Sequence, residues 1–97
     1  MDHLSAASIF NSRLSFWTAQ GFAGAELYEQ LAEDNELPSF FDPDDIAEIQ
    51  GVLVGSVKKA RHRGAGPAFI RLSSKVIKYP RPDYCRHLAS KFVRRAA

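Results

Sequence analysis

This chain of 97 residues has one cysteine, one tryptophan and no long apolar run. A lone cysteine, Cys85, cannot form an internal disulfide, which excludes a disulfide-stapled fold and predicts a reducing setting. A membrane span needs about 20 apolar residues, and an export signal needs a basic start followed by an apolar stretch. We therefore expect a soluble cytoplasmic protein with no membrane partner, built as one small domain.

The first half of the chain has almost no basic residues, and the second half has almost no acidic ones. Residues 1–50 carry ten acidic side chains and one basic one, Arg13, for a net charge of −9. Residues 51–97 carry twelve basic side chains and one acidic one, Asp83, for a net charge of +11. A basic segment of this density favours a polyanion, most commonly nucleic acid, and the acidic half could attract the basic half of a neighbouring copy.

The sequence also lacks the patterns of common enzymes. It has no glycine-rich phosphate loop and no nucleophile elbow, and its three histidines are scattered. Asp42, Asp44 and Asp45 resemble a metal site, but their place at a predicted helix start explains them through capping and the helix dipole. We expect no catalysis, no metal and no cofactor.

Residues 1–38 are predicted to form an acidic helical arm. Ser5 is a candidate N-cap, Gly21 stops the first helix, and a second helix runs over about 23–33 before Pro38. Two interpretations remain open: the arm folds back and enlarges the core of its own chain, or it contacts a second copy or another protein. The apolar candidates for such a contact are Phe10, Leu14, Trp17, Leu27 and Leu31.

Residues 42–50 carry clear helix signals. Asp42 can cap the helix and Pro43 suits its first position. Asp45 completes an acidic capping box, and Gly51 ends the helix. The pattern predicts a short supporting helix.

A second helix is predicted over residues 57–63, with Ser56 as its cap and Gly64 as its stop. Val57 and Ala60 are spaced to face inward. The outward side is then polar and basic. Its members are Lys58, Lys59, Arg61 and His62, with Arg63 at the end of the helix.

Two short β-prone runs, residues 69–72 and 76–79, flank a Ser73-Ser74-Lys75 turn and predict a hairpin. A last helix is predicted to begin at Asp83. The polar candidates on the hairpin are Arg71, Ser74, Lys75 and Lys78.

Helix, turn, helix, hairpin and helix is the order of a winged helix-turn-helix, so we predict a mainly α fold with a small β-hairpin. Residues 39–97 would form the DNA-binding domain and residues 1–38 the arm. A single helix can enter the major groove of DNA, and a basic hairpin can reach phosphate or the minor groove. Arg61 and Lys58 suit base contacts, because arginine pairs bidentately with guanine. Backbone contacts are assigned to Ser56, Lys59 and Arg63 on the helix and to Arg71, Lys75 and Lys78 on the hairpin. His62, at the major groove, and Ser74, on the hairpin, complete the candidate DNA-binding residues.

Residues 41–52 and 56–64 resemble the first helix, turn and recognition helix of excisionase-type, MerR-like winged helix-turn-helix domains. Residues 66–72 and 76–79, Gly-Pro-Ala-Phe-Ile-Arg-Leu and Val-Ile-Lys-Tyr, are similar to the wing, and Pro82-Asp83-Tyr84 to the start of the closing helix. The resemblance covers about residues 40–93. Ala60 and His87 stand where the family commonly has aromatic residues, which predicts different packing beneath the recognition helix.

The resemblance implies DNA binding without catalysis. Family members include recombination directionality factors, which shape attachment-site DNA and help an integrase to excise, and small transcription regulators. It therefore implies double-stranded DNA and an integrase as partners and a nucleoid-associated location. Cooperative self-association on DNA is expected from the charge separation, with a head-to-tail contact as the arrangement that would bring opposite charges together. A protein-interaction module remains the alternative class.

Overall fold

The computed structural model describes residues 5–93, which form five helices and a small antiparallel sheet. The chain is mainly helical with a hairpin, as predicted. No helix in this range has the length and apolar character that crossing a membrane requires. The elements in chain order are α1 (Ala6–Ala19), α2 (Gly24–Ala32), β1 (Phe40–Phe41), α3 (Pro43–Gln50), α4 (Val54–His62), β2 (Ile70–Arg71), β3 (Ile77–Pro80) and α5 (Arg81–Lys91).

The sheet has three strands in the described residues, in the order β1-β3-β2, whereas the sequence predicted two. The extra strand, β1, has only two residues, too few to show an alternating pattern. The backbone N–H of Arg81 continues the pairing by donating to the Ser39 carbonyl at 2.8 Å. The register places Phe40 opposite Pro80, Phe41 opposite Tyr79, Ile70 opposite Lys78 and Arg71 opposite Ile77.

Local signals set several helix ends. The Ser5 hydroxyl accepts a hydrogen bond from the Ser8 N–H at 3.1 Å and caps α1. The Asp42 N–H donates to the Asp45 carboxylate at 2.8 Å within the predicted capping box of α3. Gly51 then ends α3 with a φ of +68°, a left-handed conformation that glycine adopts without steric cost.

The N-terminal segment packs into the same hydrophobic core as the rest of the chain. The Phe10 ring lies edge-on to Phe41, with 6.3 Å between centroids, and Phe41 lies 5.5 Å from Tyr84 on α5. Leu31 on α2 is fully buried in this cluster. Of the two interpretations of the arm, the structure therefore supports folding back onto the chain.

The arm residues proposed as partner contacts are largely used internally. The prediction is wrong for Phe10 and Leu31, because both are core residues with almost no exposed surface. Leu14 and Trp17 pack against that core from its edge, and Leu27 is half-buried.

Arg81 ties the end of α2 to the junction between the sheet and α5. Its Nε donates to the Ala32 carbonyl at 3.1 Å, and its Nη1 donates to the Leu37 carbonyl at 3.0 Å. The last helix begins here, two residues before the predicted Asp83. The first bond satisfies the carbonyl group of the last residue of α2, which has no partner within the helix. The second bond holds the loop that follows α2.

Asp34 is a buried carboxylate with three donors. Arg13 Nε lies 2.7 Å from Oδ2, Trp17 Nε1 lies 2.8 Å from the same oxygen, and the Glu36 N–H reaches Oδ1 at 2.9 Å. Burial alone would raise the pKa of Asp34, but these hydrogen bonds outweigh burial and hold the pKa below its usual value. The network fastens α1 to the loop after α2.

Candidate nucleic-acid interface

Helix α4 presents a basic surface to solvent. Val57 is buried and Ala60 half-buried, so the predicted inward stripe is confirmed. Lys58, Lys59 and His62 are exposed, as their spacing predicted, and Arg63 at the end of the helix is exposed too.

Ser56 does not cap this helix. The N-cap is Leu53, whose carbonyl accepts the Ser56 N–H at 2.9 Å, so the helix begins at Val54. Val54 packs against the core, which explains the earlier start. The Ser56 side chain is left exposed in the first turn.

The prediction that Arg61 faces outward is wrong. Its Nη1 donates to the Tyr79 hydroxyl at 3.4 Å, and its guanidinium lies 5.8 Å from the centre of the Phe69 ring. Its Nε is buried and has no hydrogen-bond partner within residues 5–93. Arg61 therefore joins α4 to the hairpin.

Arg71 on β2 shares the same aromatic ring. Its guanidinium lies 5.7 Å from the Phe69 centroid, and Phe69 itself lies 6.2 Å from the Tyr79 ring. Cation–π contacts and ring packing therefore fix the hairpin beside α4. The predicted elements are adjacent, although no sequence pattern indicated this aromatic link.

A groove of about 360 Å³ separates the hairpin from the starts of α3 and α4. Lys58 enters it from α4 and Lys75 from the hairpin turn, so two sequence-predicted cations meet at one groove. Lys78 also lines the groove, but its ammonium pairs with the Asp42 carboxylate. Because Asp44 lines the same wall, the groove is less positive than its lysines alone suggest.

The hairpin turn is braced by its own serine. Ser73 Oγ accepts hydrogen bonds from the Lys75 N–H at 3.3 Å and the Val76 N–H at 3.2 Å. Ser74 and Lys75 are exposed at this turn. The turn therefore holds the predicted polar side chains toward solvent.

Part of the basic half is neutralised elsewhere. Arg86 on α5 forms ion pairs with Glu29 on α2 and with Glu33, the residue that caps the end of α2. Each of these pairs joins an acidic residue of the first half of the chain to a basic residue of the second half within one molecule. The acidic and basic charges are therefore less separated in space than they are along the sequence. Lys91 is exposed on α5, whereas Arg94 and Arg95 lie outside the described residues.

A smaller cavity of about 190 Å³ lies beneath α4. Ala60 and His87, the two departures from the family pattern, both line it, and Ile46 and Val57 contribute core side chains. Burial, with a smaller effect from Lys91, lowers the pKa of His87 and favours the neutral imidazole. Ala60, Ala65 and Gly66 contribute little side-chain volume to the walls, which leaves this space open.

Within residues 5–93, no three His, Cys, Asp or Glu side chains converge as a metal site would require. A scan against protein-family models gave no match, and searches of curated proteins and of solved structures returned no similar protein.

Proposed function

We propose that this protein binds duplex DNA through a winged helix-turn-helix surface, with α4 as recognition helix and the β2–β3 hairpin as wing. The observation that carries this proposal is the shared groove: Lys58 from the helix and Lys75 from the hairpin face the same space. An α-helix fits the major groove, and a hairpin fixed beside it would reach neighbouring phosphates.

The contacts suggest different roles for the basic residues. Lys58 is exposed and free to approach a base edge, whereas Arg61 would read guanine only after leaving Phe69 and Tyr79. Lys59 and Arg63 suit phosphates, because an exposed cation neutralises the backbone without regard to sequence. Lys78 would reach phosphate by exchanging Asp42 for it.

The resemblance favours excision control as the use of this binding, with integrase as the protein partner. A bent attachment site would bring integrase sites together. The same surface would serve a small transcription regulator, which is the alternative. An in vitro assay with integrase separates the two uses: excision that depends on this protein supports the first, whereas promoter binding without an effect on excision supports the second.

The first test is a fluorescence anisotropy titration of the full chain with random, attachment-site and promoter duplexes at about 50 and 200 mM salt. We expect salt-dependent binding, tightest on one of the natural duplexes. Lys59→Ala should weaken binding to every duplex and reduce the salt slope by about 1.

Arg86→Ala is the matched control, since it removes the same charge from a side chain already paired with Glu29 and Glu33. We expect its affinity to stay within about twofold of the wild type. Equal losses for both variants would contradict a defined surface on α4, and salt-independent or absent binding would refute DNA binding itself.

A further inference from the structure

The cavity of about 190 Å³ beneath α4 is larger than the gaps that a close-packed interior normally leaves. Its lining includes two buried core residues, Ile46 and Val57, and three exposed residues, Gln50, Val52 and Ser56. The cavity therefore has an apolar floor and a mouth that opens to solvent. This combination of an apolar concave surface with a few polar groups is typical of small-molecule sites.

Backbone hydrogen bonds hold the chain segments that line the cavity. The Val52 N–H donates to the Ala47 carbonyl at 2.9 Å after the end of α3, and the Ala65 N–H donates to the Ala60 carbonyl at 2.9 Å after the end of α4. The backbone at Gly66 lies against α4, since a Cβ at this position would be 3.6 Å from the Ala60 Cβ. The cavity is thus formed before any ligand arrives, which lowers the cost of binding.

The volume of the cavity sets the size of its occupant. An apolar protein cavity of about 150 Å³ holds a benzene molecule, so a cavity of about 190 Å³ has room for one aromatic ring with a fused ring or a short substituent. The imidazole of His87 and the ring of Pro67 line this space as flat side chains. A charged ligand is disfavoured, because it would lose its water against Ile46 and Val57.

His87 places a hydrogen-bonding group at this cavity. It is half-buried on α5, and burial, with a smaller effect from Lys91, lowers its pKa, so the imidazole is neutral at pH 7. A neutral imidazole has one nitrogen that donates a hydrogen bond and one that accepts. A ligand N–H or O–H can therefore pair with His87 while the ring of the ligand lies on the apolar floor.

We propose that this cavity is a binding site for a small, uncharged aromatic molecule of one or two rings, whose N–H or O–H group donates a hydrogen bond to the imidazole of His87. Ile46 and Val57 contact the ring from the core, and Gln50 and Ser56 border the polar mouth. The exposed cations of α4 take no part in this site, so the inference does not depend on the proposed DNA binding.

The experiment is an NMR titration of the isotope-labelled full chain with indole and with indene, a hydrocarbon of the same shape that lacks the N–H. The wild type should bind indole with a Kd of about 1 mM or less, since a nine-atom ligand in a preformed site reaches this range. The largest shift changes should fall on the amides of Ile46, Val57 and Ala60.

His87→Phe tests the hydrogen bond, because it keeps a ring at this position and removes the acceptor. Its affinity for indole should fall about threefold to tenfold, whereas its affinity for indene should stay within about twofold of the wild type. The comparison of the two ligands separates the lost hydrogen bond from a general change in the shape of the cavity.

Ala60→Phe tests the location, because the larger side chain should fill the cavity and weaken binding of both ligands at least about tenfold. Ala25→Phe is the matched control, since Ala25 is exposed on α2 away from the cavity, and it should bind both ligands as the wild type does. Ala65→Leu blocks the mouth instead and gives a second test of location if circular dichroism shows that Ala60→Phe is unfolded.

Four results would overturn the proposal. Absence of saturable shift changes in the wild type would refute the site, and equal affinities of the wild type and the folded cavity variants would place the ligand elsewhere. An unchanged affinity of His87→Phe for indole would refute the role of His87. Self-association of the ligand-free chain that Ala60→Phe abolishes would assign the cavity to a side chain of a second copy. DNA binding is tested separately by the anisotropy titration.

Discussion

At the scale of single residues, Asp34 is the charged side chain that residues 5–93 bury. Its carboxylate accepts from Arg13, Trp17 and the Glu36 backbone while almost wholly buried. A buried charge is tolerated only when its partners replace the water it has lost. Removing that charge leaves Arg13 without its counterion.

Asp34→Asn should therefore lower the free energy of unfolding by about 2 kcal/mol at pH 7. Since folding lowers the pKa of Asp34, its stabilisation is complete above the unfolded-state pKa of about 3.9 and is lost as pH falls through the lower folded-state value. Urea unfolding from pH 7 down to about pH 2 should show the gap between variant and wild type closing in that acidic range.

Glu36→Gln removes an exposed carboxylate two residues away and controls for the loss of one negative charge. A gap that stays constant from pH 7 to the acid limit would contradict the role given to the ionised Asp34.

Among the elements, the start of α3 combines structural and electrostatic roles. Asp42 belongs to the capping box of α3, and its carboxylate also pairs with Lys78 on β3. Asp45 takes part in the same capping box by accepting the Asp42 N–H. The two aspartates share a cap but differ in their contact with the hairpin lysine.

Asp42→Ala should lower stability by about 1 kcal/mol through the lost cap. The same change frees Lys78, so DNA affinity should rise and the salt slope should steepen by about 1. Chemical denaturation and anisotropy at two salt concentrations measure the opposite effects.

Asp45→Ala serves as the comparison, because it damages the cap and removes the same charge from the first turn without touching Lys78. It should lose similar stability, with a smaller change in DNA binding. If both variants bind DNA alike, the Asp42–Lys78 pair has no bearing on the surface.

Local signals in the sequence predicted the ends of α3, because a capping box and a left-handed glycine act within a few residues. The start of α4 was misplaced: Ser56 has good capping chemistry, but the packing of Val54 begins the helix earlier. The orientation of Arg61 depends on Phe69 and Tyr79, which only the folded chain brings near. The helical spacing of the charged residues therefore predicted the basic face of α4, but it could not predict which of these cations contacts other side chains of the folded chain.

For the whole molecule, the two halves are interdependent. Phe10 and Leu31 from the first half complete the core around Phe41 and Tyr84. Arg81 in the second half hydrogen-bonds to carbonyl groups at and beyond the end of α2. Residues 5–38 are thus part of the folding unit, and the predicted boundary at residue 38 does not separate two cores.

A fragment of residues 38–97 should consequently fail to fold alone. It would expose the apolar surface that α1 and α2 cover and leave Arg81 without its two carbonyl acceptors. Thermal melts by circular dichroism should show no cooperative transition for the fragment, and adding a peptide of residues 1–37 should restore one.

A cooperative melt of the isolated fragment, with a stability near that of the full chain, would contradict this interdependence. It would then mark residues 1–37 as dispensable for folding.

Cys85 has a practical consequence as a kinetic reporter. Its side chain is fully buried on α5, and burial raises the pKa of the thiol to about 12. Because the thiolate is the reacting form, a thiol reagent should modify Cys85 only during transient opening of the molecule. The labelling rate of this single natural thiol would then report how often the molecule opens. A ligand that stabilises the closed state should slow the labelling, so no engineered probe is needed.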